Sequence, residues 1–159
     1  MMLVKNAVKL IAAMGICLAV GVLGGWGTAS SVKTWYGILR QPVFTPPDWI
    51  FAPVWTALYI LMGISLFLMI KDPPGQDTRR ALQYFGIQLA ANAMWPFLFF
   101  GLRSPLYGLL DIVLLWGFIF CTIKYSFKVS KPAAYLLIPY IAWVSFALIL
   151  NCSIYLLNR

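Results

Sequence analysis

The sequence predicts an all-α integral membrane protein: a five-transmembrane-helix bundle whose aromatic, proline-rich first connector acts as a lid. Three observations carry that expectation. Hydrophobic residues make up 62% of the 159 residues and charged residues 10%, with a mean hydropathy of +0.86, which excludes a soluble globular domain. Apolar runs recur at about 8–27, 49–70, 80–101, 105–125 and 133–157, and each can cross a hydrocarbon core that needs about 20 helical residues. The stretch from Trp35 to Gly63, WYGILRQPVFTPPDWIFAPVWTALYILMG, crowds indoles, phenols and prolines onto the entrance of the second run. Residues 1–159 read as a single membrane domain, because the length supplies five spans with short connectors but not two bundles.

Each element has its own justification. The first run follows Lys5 and Lys9 as a signal peptide would, yet it continues through Gly21 to Trp26 without a convincing cleavage site, so it reads as a retained span. Its Gly21-x-x-x-Gly25 spacing permits close helix approach within the bundle. The segment from Thr28 to Asp48 is the only long connector. Pro42, Pro46 and Pro47, with Pro53 just beyond, fix its backbone angles, and its rings suit the membrane interface. A rigid aromatic lip that fits a flat, apolar ligand is expected there. Thr45-Pro46-Pro47-Asp48 offers an N-cap hydroxyl, proline at the helix entrance and a first-turn carboxylate to start the second run. KDPPGQDTRR at 71–80 is a polar turn before the third run, and Ser104-Pro105 and Ser130-Lys131-Pro132 open the fourth and fifth. Pro96 and Pro139 are expected to kink the third and fifth runs and open space between them.

Charge reads as topology. Lys5, Lys9, Lys71, Arg79, Arg80, Lys124, Lys128 and Lys131 fall on one side of five spans, and Lys33, Arg40, Arg103 and Arg159 on the other. This bias favours a cytoplasmic N-terminus in a bacterial cell membrane. No groove-sized basic patch remains for nucleic acid, so none is expected as a partner; the lipid bilayer is. Histidine is absent, which removes the usual general base, metal ligand and haem axial ligand. Glutamate is absent too, and paired-carboxylate chemistry is unsupported. Cys17, Cys121 and Cys152 lie within the runs without metal-ligand spacing and read as packing residues, so no metal site is expected.

Polar groups inside the runs need partners or a cavity. Gln88, Asn92 and Trp95 recur at i, i+4 and i+7 and share one helix face; Trp55, Tyr59 and Met62 repeat that spacing on the second run, and Trp143, Ala147 and Asn151 form a third stripe. The stripes either line one pocket or pack the bundle interior, and spacing serves both readings. Asp111, with Tyr107 one turn earlier, reads as a structural, hydrogen-bonded carboxylate rather than a proton relay. Gly86 and Ala90 at i, i+4 on the third run allow the close approach that a homodimer would use.

The run Trp35, Tyr36, Leu39, Pro42, Phe44, Pro46, Pro47, Trp49, Phe51, Pro53, Val54, Trp55, Leu58, Tyr59, Met62, Gly63 resembles the signature of the tryptophan-rich sensory protein family, which includes the mitochondrial translocator protein, or peripheral benzodiazepine receptor. The likeness continues through QLAANAMWPFLFFGLRSP (88–105), DIVLLW (111–116) and PYIAWVSFALILN (139–151). It covers nearly the whole chain from residue 26 onward; the first run is generic and adds little.

The resemblance implies a five-helix bundle, commonly a homodimer, that binds porphyrins, sterols and isoquinoline or benzodiazepine-type ligands beneath the first connector. By motif position it implies a ligand site at Tyr36, Trp55, Asn92, Trp95, Trp143 and Ala147, to which the stripes add Tyr59 and Gln88. Trp55 and Trp143 match the indoles linked with light-dependent porphyrin breakdown, and are expected as opposing walls of the pocket. They are the only catalytic candidates. No cofactor is required; porphyrin is the ligand. In sterol-responsive members a tyrosine follows the asparagine matching Asn151, where this chain has Cys152. Leu150, Tyr155 and Arg159 satisfy only the loose sterol pattern, which places tetrapyrrole above sterol. The leading expectation is a membrane receptor or sensor for tetrapyrroles that aids their transport or disposal. A porphyrin-degrading enzyme and a porphyrin or sterol transporter are the alternatives, and a eukaryotic source would place the chain in the mitochondrial outer membrane.

Overall fold

A computed structural model describes residues 2–29 and 31–159, with all their side chains except those of residues 2, 3, 32 and 33. The basic side chain of Lys33, expected opposite the N-terminus, therefore lies outside the described residues. The described chain is helical, with no strand: α1 Met2–Ala29, a π-helical turn Val32–Tyr36, α2 Asp48–Ile70, α3 Gln76–Pro96, a second π-helical turn Phe97–Gly101, α4 Pro105–Val129, α5 Lys131–Leu136 and α6 Ile138–Leu157. Among these, Val4–Ala29, Asp48–Ile70, Pro105–Val129 and the joined stretch Lys131–Leu157 are long and apolar enough to cross a membrane. The third run is not in that set, because α3 begins with Gln76, Asp77, Thr78, Arg79 and Arg80 and carries Gln83, Gln88 and Asn92 further along.

Local chemistry explains the boundaries and corrects three expectations. Thr45 does not cap α2: its hydroxyl donates to Pro42 O at 2.8 Å, closing a turn inside the connector, and Pro47 holds the cap position with Asp48 in the first turn. Prolines 46 and 47 separate the hydroxyl from the helix. Ser104 does cap α4, accepting from Tyr107 N at 3.3 Å. The fifth run is two helices rather than one. Pro139 has no N–H to close onto Tyr135, so the ladder shifts at Leu137, whose N–H donates to Ala134 O while its carbonyl accepts from Ile141 N, each at 3.1 Å. Pro96 likewise ends α3, and the helix widens into the π turn before Arg103, at φ 50°, reverses the chain into α4.

Two apolar clusters form the interior. The larger joins Met62, Met69, Phe85, Ile119, Tyr140 and Val144 across α2, α3, α4 and α6. The smaller sits under the connector and holds Tyr36, Phe99, Phe100, Leu150 and Ile154. Glycine sets the α1–α2 spacing: a Cβ on Gly63 would lie 2.7 Å from Met14 Cα, and one on Gly21 would lie 2.7 Å from the Tyr59 ring. Gly25, the other half of the expected pair, faces open space. At the far end Lys9 Nζ donates to Ile70 O and Lys71 O at 2.9 and 3.1 Å, capping the C-terminus of α2 from α1. Large apolar side chains face outward along α1; Ile11 is 71% exposed. That is the pattern of a helix whose solvent is lipid.

The connector packs against the bundle. Ser31 Oγ donates to Phe100 O at 3.1 Å, Phe44 meets Phe146 edge-on at 6.3 Å, and Gln41 Nε2 donates to Tyr36 O at 3.2 Å.

Candidate functional site

Beneath the connector, α1, α2, α3, α4 and α6 enclose a cavity of about 730 Å³, within the size range of pockets that bury small ligands. From α2 it is lined by Trp55 and Tyr59, from α3 by Asn92 and Trp95, from α6 by Trp143 and Ala147, and from the connector by Tyr36. Seven of the expected ligand-site residues therefore meet at one cavity. Leu150 also lines it. Tyr155 and Arg159, the rest of the loose sterol pattern, do not, because they lie on the last turn and end of the chain beyond the cavity.

Gln88 does not line the cavity. It is 1% exposed and sits behind the wall, where Tyr140 donates to its Oε1 at 2.8 Å. The same Tyr140 oxygen accepts from Asn92 Nδ2 at 2.8 Å, and Asn92 Oδ1 accepts a short hydrogen bond from Tyr59. One chain of hydrogen bonds thus runs from the cavity into the core. Asn92 is part of it because its side chain is buried, 4% exposed, on the same face of α3 as Gln88.

The indoles are held by neighbouring rings and amides. Phe51 meets Trp143 edge-on at 5.9 Å, and Tyr140 meets Trp55 edge-on at 6.4 Å. Trp55 of α2 and Trp143 of α6 thus each take part in an aromatic contact between those two helices, and both line the cavity. Trp95 stacks on Phe99 at 4.9 Å and donates from Nε1 to Asn151 Oδ1 at 3.2 Å. Asn151 Nδ2 in turn donates to Pro105 O at 2.8 Å, fixing α6 against the start of α4. Trp143 Nε1 is buried with no partner among the described residues. At the connector, burial and the nearby Asp48 carboxylate push the Tyr36 phenol up to about 12, so it stays neutral.

Asp111 departs from its expected role. Its Oδ2 is buried without a hydrogen-bond partner among the described residues, and Tyr107 is 52% exposed and turned outward. The i−4 spacing put both on one helix but said nothing of the direction of the ring. Sequence reasoning also missed α1, whose Leu18, Gly21 and Val22 complete the cavity. The small residue at 21 was the available signal, since it admits the Tyr59 ring. With one carboxylate, Asp48, and otherwise aromatic rings, amides, threonine hydroxyls and aliphatic groups in the lining, the chemistry of the cavity suits an apolar molecule oriented by a few hydrogen bonds.

Residues 13–157 match the model of the TspO/MBR family. The chain is 46% identical over 153 residues to the tryptophan-rich protein TspO of Archaeoglobus fulgidus, covering 96% of this chain and 99% of that one. It is 40% identical over 133 residues to the translocator protein of Bos taurus, covering 82% and 79% of the two chains. A match to the tryptophan-rich sensory protein of Cereibacter sphaeroides is 31% identical over 140 residues, covering 88% and 87%. With the family model and these relatives spanning the bundle and its cavity, this chain belongs to the TspO/MBR family.

Proposed function

We propose that this protein is a membrane receptor that binds tetrapyrroles of the protoporphyrin and haem type in the aromatic cavity, with sterols and isoquinoline or benzodiazepine-type molecules as weaker candidates. The observation that carries the reading is the meeting of Trp55, Tyr59, Trp95 and Trp143 around one cavity of about 730 Å³. Offset or edge-on rings of this kind suit a broad π face. The names of relatives, a sensory protein and a translocator, agree with a protein that receives or passes on a small molecule. The single membrane domain has five spans in this reading. α3 is the fifth; Gln88 Oε1 and both ends of the Asn92 amide are hydrogen-bonded inside the bundle, which lowers the penalty for crossing. The connector serves as a lid, the N-terminus is cytoplasmic, and two copies pair through the exposed Gly86 and Ala90 face of α3. No cofactor is required.

A fluorescence titration of the purified protein with protoporphyrin, haem and cholesterol tests the reading. Saturable quenching by the tetrapyrroles, stronger than any response to cholesterol, is expected; no response to either tetrapyrrole would end it. A second reading, light- and oxygen-dependent porphyrin breakdown, is favoured by the place of Trp55 and Trp143 at the cavity. Illumination of the bound complex separates it from simple binding by the loss of the porphyrin absorption band. Transport is separated from both by accumulation of ligand inside sealed vesicles.

A further inference from the structure

Cations gather on one ring at the end of the bundle where α3 begins and α4 finishes. Arg80 of α3 and Lys128 of α4 both lie over Tyr125, with Cζ at 5.9 Å and Nζ at 5.5 Å from the ring centroid. Tyr84 stacks on the same ring at 5.4 Å and 9°. Lys124, one turn before Lys128, adds a third exposed cation. The aromatic surface continues toward the middle of the span, because Phe118, two turns before Tyr125 on α4, meets Tyr84 at 6.5 Å. A basic head thus stands above an aromatic track between two helices.

The chain does not balance this charge. Lys128 is 3.8 Å from Asp77, but neither Arg80 nor Lys124 has a carboxylate partner among the described residues. The adjoining groove of about 490 Å³ at the ends of α2, α3 and α4 differs, since its Lys71 and Lys128 are matched by Asp72 and Asp77. Glutamate is absent from the sequence, and of its four aspartates Asp48 starts α2 and Asp111 sits in the second turn of α4, both toward the connector. No further carboxylate is within reach. Two cations brought onto one ring repel each other, and a shared anion relieves that repulsion. Tyr125 lies four residues from the end of α4, a depth at which the nearby anions are lipid phosphates.

We propose that this end of the α3–α4 groove binds one anionic phospholipid of the surrounding bilayer, its phosphate held among Arg80, Lys124 and Lys128 and an acyl chain lying along Tyr84 and Phe118. Arg80 offers a planar fork that fits two phosphate oxygens, and the lysines add point charges. A zwitterionic lipid would bring its own ammonium into the same cluster, so the site selects against it. None of these residues lines the aromatic cavity, and the proposal stands apart from the ligand bound there.

Native mass spectrometry of the purified protein, released from detergent micelles after titration with dioleoyl phosphatidylglycerol or dioleoyl phosphatidylcholine, counts the lipids retained. One phosphatidylglycerol per chain should be held about five-fold or more tightly than phosphatidylcholine, which has the same acyl chains. Arg80→Gln and Lys124→Gln should each weaken phosphatidylglycerol about five-fold, the contribution of one cation near an anionic headgroup. Arg80→Lys should recover most of that loss. Lys5→Gln removes the same charge at the same end of the bundle, but from α1, and should leave binding unchanged. Millimolar inorganic phosphate should not displace the lipid, since it has no chain to lay on the rings. Equal retention of the two lipids, a loss in Lys5→Gln as large as in Arg80→Gln and Lys124→Gln, or displacement by inorganic phosphate would each overturn the proposal.

Discussion

Asn158 holds the backbone of Arg40 from both sides. Its Oδ1 accepts from Arg40 N and its Nδ2 donates to Arg40 O, each at 2.9 Å, across 118 residues of sequence. A third bond, from the same Nδ2 to Ile154 O at 2.8 Å, anchors the amide to the last turn of α6. The connector is thereby fastened to the end of the chain by one side chain.

Asn158→Ala should release that fastening. The two bonds are exposed, so together they contribute on the order of 1 kcal/mol, and cleavage by trypsin after Arg40 should quicken about five-fold. Asn158→Asp keeps the acceptor and loses the donor, and should fall between. Timed digestion followed by mass spectrometry reads the outcome; equal rates in all three proteins would show that the pairing does not restrain the connector.

Gly63→Ala should loosen α1 from α2. The added methyl would meet Met14 Cα at 2.7 Å, and a backbone neighbour cannot rotate away as a side chain would. The cost is about 1–3 kcal/mol, visible as a lower thermal midpoint in detergent. Gly15→Ala is the matched control on α1, because nothing lies within 4 Å of its added carbon.

Trp55→Ala, Trp143→Ala and Ala147→Phe should each weaken protoporphyrin binding about five-fold or more, the factor that corresponds to about 1 kcal/mol of ring contact or lost space. Trp116→Ala should not. Trp116 stacks on Phe120 at 5.8 Å and donates to Ser145 Oγ at 2.8 Å, away from the cavity. Equal weakening by the control would mean that these indoles act through general packing.

Gly86 and Ala90 are both exposed on α3. Gly86→Leu should therefore shift the detergent-solubilised protein toward monomer without loss of helicity, as measured by light scattering. An unchanged mass would exclude this face as the interface.

Helix positions and ends were largely legible because they depend on neighbours in sequence. The apolar runs, the Ser104-Pro105 start of α4 and the interruptions at Pro96 and Pro139 all follow from local composition, period and the missing proline N–H. Seven cavity positions were legible for a related reason: a repeat at i, i+4 and i+7 puts Trp55, Tyr59, Asn92, Trp95, Trp143 and Ala147 on shared helix faces, and the family resemblance named five of these and added Tyr36. Which faces meet is a different matter. Periodicity could not say that Tyr140 of α6 would bond Gln88 and meet Trp55, that Phe51 would meet Trp143, or that Tyr107 would turn away from Asp111. Nor could it show that generic α1 would close the cavity beside Tyr59, or that Asn158 would reach Arg40. Those outcomes depend on how helices distant in sequence rotate against one another until apolar volume is filled and each buried polar group has the best partner left to it. That selection is made in three dimensions among faces whose local patterns are equally acceptable.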